Sequence, residues 1–200
     1  ALDVINNLSQ QNLKYILKFL GEEKDASKIA KSIVKQRELK KIKNTQDLVK
    51  IIKITKKGNF KNKLDPSTKS FQALRIFVNK EITELIEGIS LASELLKPNG
   101  KLIVISFHSI EDKIVKFFFK NYSSNKSKNS RYFPDKEINK SLFNAYKNKI
   151  IKPQNKEILN NPSSRSAKLR YAIRNDNDFT QPKDLYSKFE KFIKLESINV

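Results

Sequence analysis

The chain has 200 residues, 38% of them hydrophobic, which suffices for one sizeable core or for one domain with a smaller companion. Lysine and arginine total 41 against 21 aspartates and glutamates, and the net charge of +20 favours a polyanionic partner such as nucleic acid, with compositional drift toward lysine as the competing account. The absence of cysteine and the single histidine exclude disulfide frameworks, cysteine zinc sites and histidine-rich metal sites, and no apolar run nears the roughly 20 residues of a bilayer span, so a soluble cytoplasmic protein is expected.

Residues 1–64 read as helical. Ser9 suits an N-cap for a helix carrying Leu13, Ile16, Leu17 and Leu20, with Gly21 as its C-terminal stop. A second helix is predicted over 22–38, burying Ala26, Ile29, Ala30, Ile33 and Val34, and a third from Thr45 with Leu48, Val49, Ile51 and Ile52 apolar. Such short helices are not stable singly, so they should pack as a small bundle. Residues 55–64 form a basic stretch around Phe60, a composition that suits either single-stranded RNA or a solvated connector.

Asp65-Pro66 reads as a cap followed by a first-turn proline, opening one long helix through Phe71, Leu74, Val78, Ile82, Leu85 and Ile89. Pro98-Asn99-Gly100 is a turn. The unalternating run Leu102 to Ile105 then predicts a strand covered on both faces, as in a parallel sheet. Ser109, with Asp112 three residues on, predicts the capping box of a helix whose apolar face is Ile110, Ile114, Val115 and Phe118.

Residues 121–141, which include Tyr122, Arg131, Tyr132 and Phe133, read as a polar mobile loop. Strands are predicted over 142–151 and 167–173, a short helix over 157–160 between them, and an amphipathic helix over 182–195. The missing methionine and the start at Ala1 read as a processed chain or as the later part of a longer protein.

The candidate site lies between the central strand and its helix, where Ser106, Phe107, His108 and Ser109 sit outside the carboxyl end of a strand, the usual ligand position of an open α/β sheet. Capping alone also explains Ser109 and Asp112; His108, the only histidine, favours function. Arginine is rare and marks places that need a planar fork, and three of the six fall between Pro162 and Asn175. They suit a phosphate or carboxylate contact, or a cation-decorated strand edge. Gln72, Arg75 and Asn79 make a polar patch on one side of the long helix, facing a ligand or serving an interhelical hydrogen bond. Four glycines, none in a strand-to-helix loop, leave no nucleotide cradle or Walker loop.

Four blocks occur in order: GEEKDASKIAKSIVKQRE at 21–38, DPSTKSFQALRIFVNKEI at 65–82, PNGKLIVISFHSIEDKIVKFF at 98–118 and NPSSRSAKLR at 161–170. Together they resemble the ribosomal RNA small subunit methyltransferase H family, also called MraW, over about residues 1–174. Asp65 stands where many members carry His, and Lys69 where many carry Arg. The resemblance implies an α/β fold, a partial Rossmann-like class I methyltransferase sheet with a helical inserted domain. Residues 1–64 would be that substrate-side insert, 65–174 the carboxyl-terminal half of the catalytic domain, and 175–200 a tail.

It further implies transfer of a methyl group from S-adenosylmethionine to the N4 of a cytidine in 16S rRNA near the decoding centre. The cofactor-binding residues would lie in an amino-terminal half that this chain lacks, leaving the chain inactive by itself. The small ribosomal subunit is the implied partner, with a homodimer left open, no membrane and no metal. By the same resemblance His108 and Ser109 would position the base, Ser106, Asp112, Gln72, Arg75 and Asn79 would support substrate binding, and Arg165, Ser166 and Lys168 would hold RNA backbone. The rival readings are a basic rRNA-binding module without catalysis and a structural ribosome-associated protein.

Overall fold

The computed structural model describes residues 1–56, 65–124 and 141–200, so Phe60, Arg131, Tyr132 and Phe133, with the loops drawn around them, lie outside the described residues. The chain is mixed α/β and rich in helix, and it divides into two compact units: residues 1–83 with 191–200, and residues 84–190.

The first unit is a helical bundle. Helix α1 (Leu2–Asn7) precedes α2 (Gln10–Tyr15), whose N-cap Ser9 accepts from the Asn12 N–H as its sequence predicts. The helix then widens into a π turn over Ile16–Leu20, with Ile16, Leu17 and Leu20 buried. Gly21 ends it, for a reason other than a left-handed cap: its φ is −94°, and a Cβ there would stand 2.5 Å from the Lys69 carbonyl oxygen. Close approach of the next layer demands the glycine, and Glu22 takes the positive φ of 49°.

Helices α3 (Ala26–Leu39) and α4 (Thr45–Lys56) close the bundle, burying Ala26, Ile29, Ala30 and Ile33 from one and Leu48, Ile51 and Ile52 from the other. A buried ion pair, Lys56 to Glu23 at 2.7 Å, joins α4 to the turn before α3.

The expected single long helix is two. Helix α5 (Thr68–Asn79) stops at Lys80, which adopts the left-handed conformation (φ 51°, ψ 39°), and α6 (Glu81–Leu95) begins afresh. The new amino terminus is held by a carboxylate 113 residues away: Glu196 accepts from the N–H groups of Ile82 (3.0 Å) and Thr83 (2.9 Å) and from the Thr83 hydroxyl (2.7 Å). Apolar spacing runs straight through the break, because heptad-like burial cannot register a tertiary cap. Ahead of α5, Asp65 accepts from the Ser67 N–H and hydroxyl and pairs with Lys53 at 3.2 Å; these bonds pull its carboxyl down to about 2.

In the second unit, β1 (Lys101–Ser106) follows a turn in which Asn99 takes φ 66°. It pairs antiparallel with β2 (Lys168–Ile173), Ile103 opposite Tyr171 and Ser106 opposite Lys168. Helix α7 (Ser109–Asn121) packs on both strands, on the face that carries Val104, Arg170 and Ala172. The other face is bare among the described residues, with Ile103 and Ile105 each 55% exposed and Tyr171 44% exposed. The strand predicted to be covered on both faces is therefore covered on one.

Phe118, Phe119, Tyr122, Phe143 and Tyr146 form the aromatic core of this unit, with ring centroids 5.3 to 5.9 Å apart. Tyr122, placed in a loop by its polar neighbours, is buried here, and burial with the nearby Asp184 pushes its hydroxyl up to about 12. The strand predicted over 142–151 does not form: among the described residues only Phe143 and Ile151 of this run make isolated bridges, and Asn148, at φ 51°, breaks the extended run. The short helix α8 (Asn155–Asn160) and a 3₁₀ turn (Pro162–Ser166) lead into β2. Helix α9 (Lys183–Glu196) ends the chain with Leu185, Phe189 and Leu195 buried.

Candidate functional site

The turn Phe107-His108 at the end of β1 carries the strongest sequence-level candidates, and its local structure shifts the expected cap by one residue. His108, not Ser109, is the N-cap of α7. Its Nδ1 accepts from the Glu111 N–H at 3.4 Å, while the Glu111 Oε2 accepts from the N–H groups of Phe107 (2.8 Å) and His108 (3.2 Å), completing a capping box with histidine in the usual place of Ser or Thr. Burial would raise the Glu111 carboxyl, but the His108 side chain and these N–H donors hold it below its ordinary value. Acceptance at Nδ1 puts the proton of a neutral imidazole on Nε2. That atom is buried and makes no hydrogen bond among the described residues, although the Glu111 Oε1 lies 3.2 Å away.

Asp112 leaves the cap for an ion network. Its Oδ1 accepts from Arg170 Nε at 2.7 Å, and its Oδ2 from Arg170 at 3.3 Å and from Lys168 Nζ at 3.3 Å. Burial raises the Asp112 carboxyl, and the two cations more than offset this, so it sits below its usual range. Arg170 is 2% exposed and also donates to the Tyr146 hydroxyl (2.8 Å) and to Asn148 (3.2 Å). Ser106, likewise buried, donates to the Lys168 carbonyl at 3.3 Å. Ser106, His108, Ser109, Asp112 and Lys168 thus gather where β1 ends and β2 begins, with Arg165 and Ser166 exposed on the turn just before β2.

The other three candidates lie in the helical unit and divide among themselves. Arg75 grips Glu81 with two bonds of 2.8 and 3.1 Å, and Asn79 joins the same carboxylate at 3.3 Å. Both line an apolar groove of about 570 Å³ with Leu2, Leu48, Phe71 and Val78, and Gln72 does not line it. Sequence reasoning missed Glu111 and the pairing of Arg170. The first was legible as H-x-x-E once the cap moved by one residue; the second requires the strand register that sets Arg170 on the face of α7.

A nucleoside cofactor needs a glycine-lined cradle between a strand and the helix that follows it. The strand-to-helix turn contains no glycine, and the described glycines at 21, 88 and 100 flank no such turn, so the residues present do not fit that group.

The MraW methylase family matches residues 1–175, and the chain belongs to that family. It is 41% identical over 176 residues to a protein of Rhizobium etli named ribosomal RNA small subunit methyltransferase H, covering 88% of this chain and 51% of that one. Proteins of the same name from Ehrlichia canis (42% over 173 residues; 85% of this chain, 54% of that one) and Agrobacterium fabrum (41% over 174 residues; 87% and 51%) are similarly close. The chain spans about half the length of the curated relatives it matches.

Proposed function

We propose that this chain is the substrate-side and carboxyl-terminal portion of an S-adenosylmethionine-dependent rRNA methyltransferase that modifies the exocyclic N4 of a cytidine in 16S rRNA, near the decoding centre of the small subunit. The observation that carries the reading is the family match over residues 1–175. In this reading residues 1–64 are the inserted helical domain, 65–174 continue a Rossmann-like class I sheet through β1 and β2, and the cofactor is held by residues beyond this chain.

The amino nitrogen of cytosine is a weak nucleophile because its lone pair is delocalised into the ring, so positioning carries much of the rate. The β1–α7 turn suits that task. His108 holds a buried Nε2–H with no acceptor among the described residues, a donor whose chemistry matches the ring N3 or O2 acceptor of cytosine, and its role in this reading is to hold the base edge rather than to remove a proton from it. Ser109 adds a hydroxyl beside it. The capping box and the Asp112–Arg170 pair fix the turn on α7 and β2, as a positioning group requires. Arg165 and Ser166, exposed before β2, supply contacts to RNA backbone.

The native protein that carries this chain, isolated from its source cells, is assayed with S-adenosylmethionine and small-subunit RNA, and the digested nucleosides are resolved by mass spectrometry. N4-methylcytidine is expected. Tight RNA binding with no methylated nucleoside would overturn the reading in favour of a non-catalytic rRNA-binding module. Within the active protein, His108→Asn keeps an N-cap acceptor and removes the imidazole; turnover should fall while the melting point holds.

A further inference from the structure

The cations of the helical unit are not evenly spread. Helix α3 buries Ile29, Ala30 and Ile33 and turns Lys28, Lys31 and Lys35 outward, one ammonium for each of three successive turns, about 5.4 Å apart along the axis. At its amino end Lys14, Lys18 and Lys24 surround a hollow of about 410 Å³ with Ser27. Glu22 and Glu23 also rim that hollow, but the Glu23 carboxylate is occupied by Lys56 at 2.7 Å. Among the described residues Lys14, Lys24, Lys31 and Lys35 pair with no carboxylate, and Lys28 meets only Asp25, at 3.5 Å on the surface, where such a pair is worth little. Glu38 closes the line at its far end.

General lysine enrichment does not account for this. The exposed positions of α6 at the same helical spacing are Glu84, Glu87, Leu91 and Glu94, with no lysine among them.

We propose that the line from the Lys14–Lys18–Lys24 hollow along Lys28, Lys31 and Lys35 is an RNA docking surface that follows one phosphate backbone. The inference rests on the rRNA reading above and names the surface through which the helical unit takes its substrate. Regularly spaced ammonium groups, of which only Lys28 meets a carboxylate among the described residues and that one weakly at the surface, fit a polyanion with regularly spaced charges, and lysine, a point charge, reads phosphate without selecting sequence. A lipid surface is the poorer match, since membrane-lying helices insert an apolar face and that of α3 is sealed in the bundle, with Ile29 fully buried.

The test uses the whole chain and a short labelled single-stranded RNA of mixed sequence, with affinity measured by fluorescence anisotropy across a salt series. Lys28→Gln, Lys31→Gln and Lys35→Gln are combined in one variant. Its control carries the same loss of charge at exposed sites of the other unit, Lys97→Gln, Lys101→Gln and Lys152→Gln. Each phosphate contact on a single strand contributes roughly 0.7 to the slope of log K against log salt, so the α3 variant should be shallower by about 2 and the control should match the parent. Equal flattening in both variants, or none in the α3 variant, overturns the surface while leaving RNA binding by the chain intact. A parent that shows no salt-dependent RNA binding overturns the surface and the RNA reading of this portion together. Loss of binding to phosphatidylserine vesicles in the α3 variant, with its RNA slope unchanged, reassigns the line to a lipid surface.

Discussion

The two units use their cations in opposite directions. Around β1 and β2 the decisive ones are arginines that point inward. Arg170 ties Asp112, Tyr146 and Asn148 together. Arg174, also buried, donates to the carbonyls of Ser93, Leu142 and Asn177 and so gathers the ends of three segments. Along α3 lysines point outward: among the described residues Lys31 and Lys35 meet no carboxylate, and Lys28 meets only Asp25, at 3.5 Å on the surface. The difference follows from the head groups. A guanidinium offers five donors in a rigid fork and survives burial when each finds an acceptor, whereas an ammonium is strongly hydrated and stays in water until a phosphate replaces that water. The arginine cluster near the carboxyl end, legible as a contact to phosphate or carboxylate, resolves into a carboxylate contact at Arg170, carbonyl contacts at Arg174 and one exposed side chain at Arg165.

If inward arginines are structural, the largest loss of stability belongs to Arg170→Ala, which removes the buried bonds to Asp112, Tyr146 and Asn148 together; urea denaturation should show a loss of about 3–5 kcal/mol, and a loss below 1 kcal/mol would break the comparison. Next comes Glu196→Ala, which frees the amino end of α6 at a cost of about 1–3 kcal/mol and should speed amide exchange at Ile82 and Thr83 first. His108→Ala removes a cap for about 0.5–2 kcal/mol, and His108→Asn should restore most of it. The combined α3 lysine variant should lie within about 0.5 kcal/mol of the parent while its RNA slope changes, which sharpens the contrast with Arg170.

The smallest effect is at Asp65. Its folded-state value of about 2 is below the ordinary 3.8, so its contribution is fully present above that ordinary value and is lost as pH falls from there through about 2. An NMR titration of its carboxyl should find the low midpoint, and Ser67→Ala should move it upward, because the Ser67 bonds are the largest cause.

Local chemistry made much of this legible. Ser9 caps α2, the buried stripes of α3 and α4 match their apolar spacing, Asn99 turns the chain, and β1 and β2 fall close to their expected bounds. The family was legible from four ordered blocks and agrees with the match over residues 1–175. Less legible was the role of each polar side chain at the β1–α7 turn. Ser109 and Asp112 satisfy the capping pattern as well as His108 and Glu111 do, and only the backbone placement of His108, at φ −127°, chooses between them.

By itself, then, the sequence determined whatever depends on neighbours within a turn or two: helix faces, caps within one residue, the polar turn after β1 and the family. Tertiary structure decided what depends on partners far along the chain. It broke the long helix at Lys80, where Glu196 caps Thr83 from 113 residues further on, and it drew Asp112 away from its own helix end to Arg170, 58 residues on. It also left the run over 142–151 without a ladder, and it turned Arg170 and Arg174 inward and the α3 lysines outward. The reason is the same in each case: a buried polar group takes the best acceptor or donor that folding brings within about 3 Å, and sequence spacing does not record which one that is.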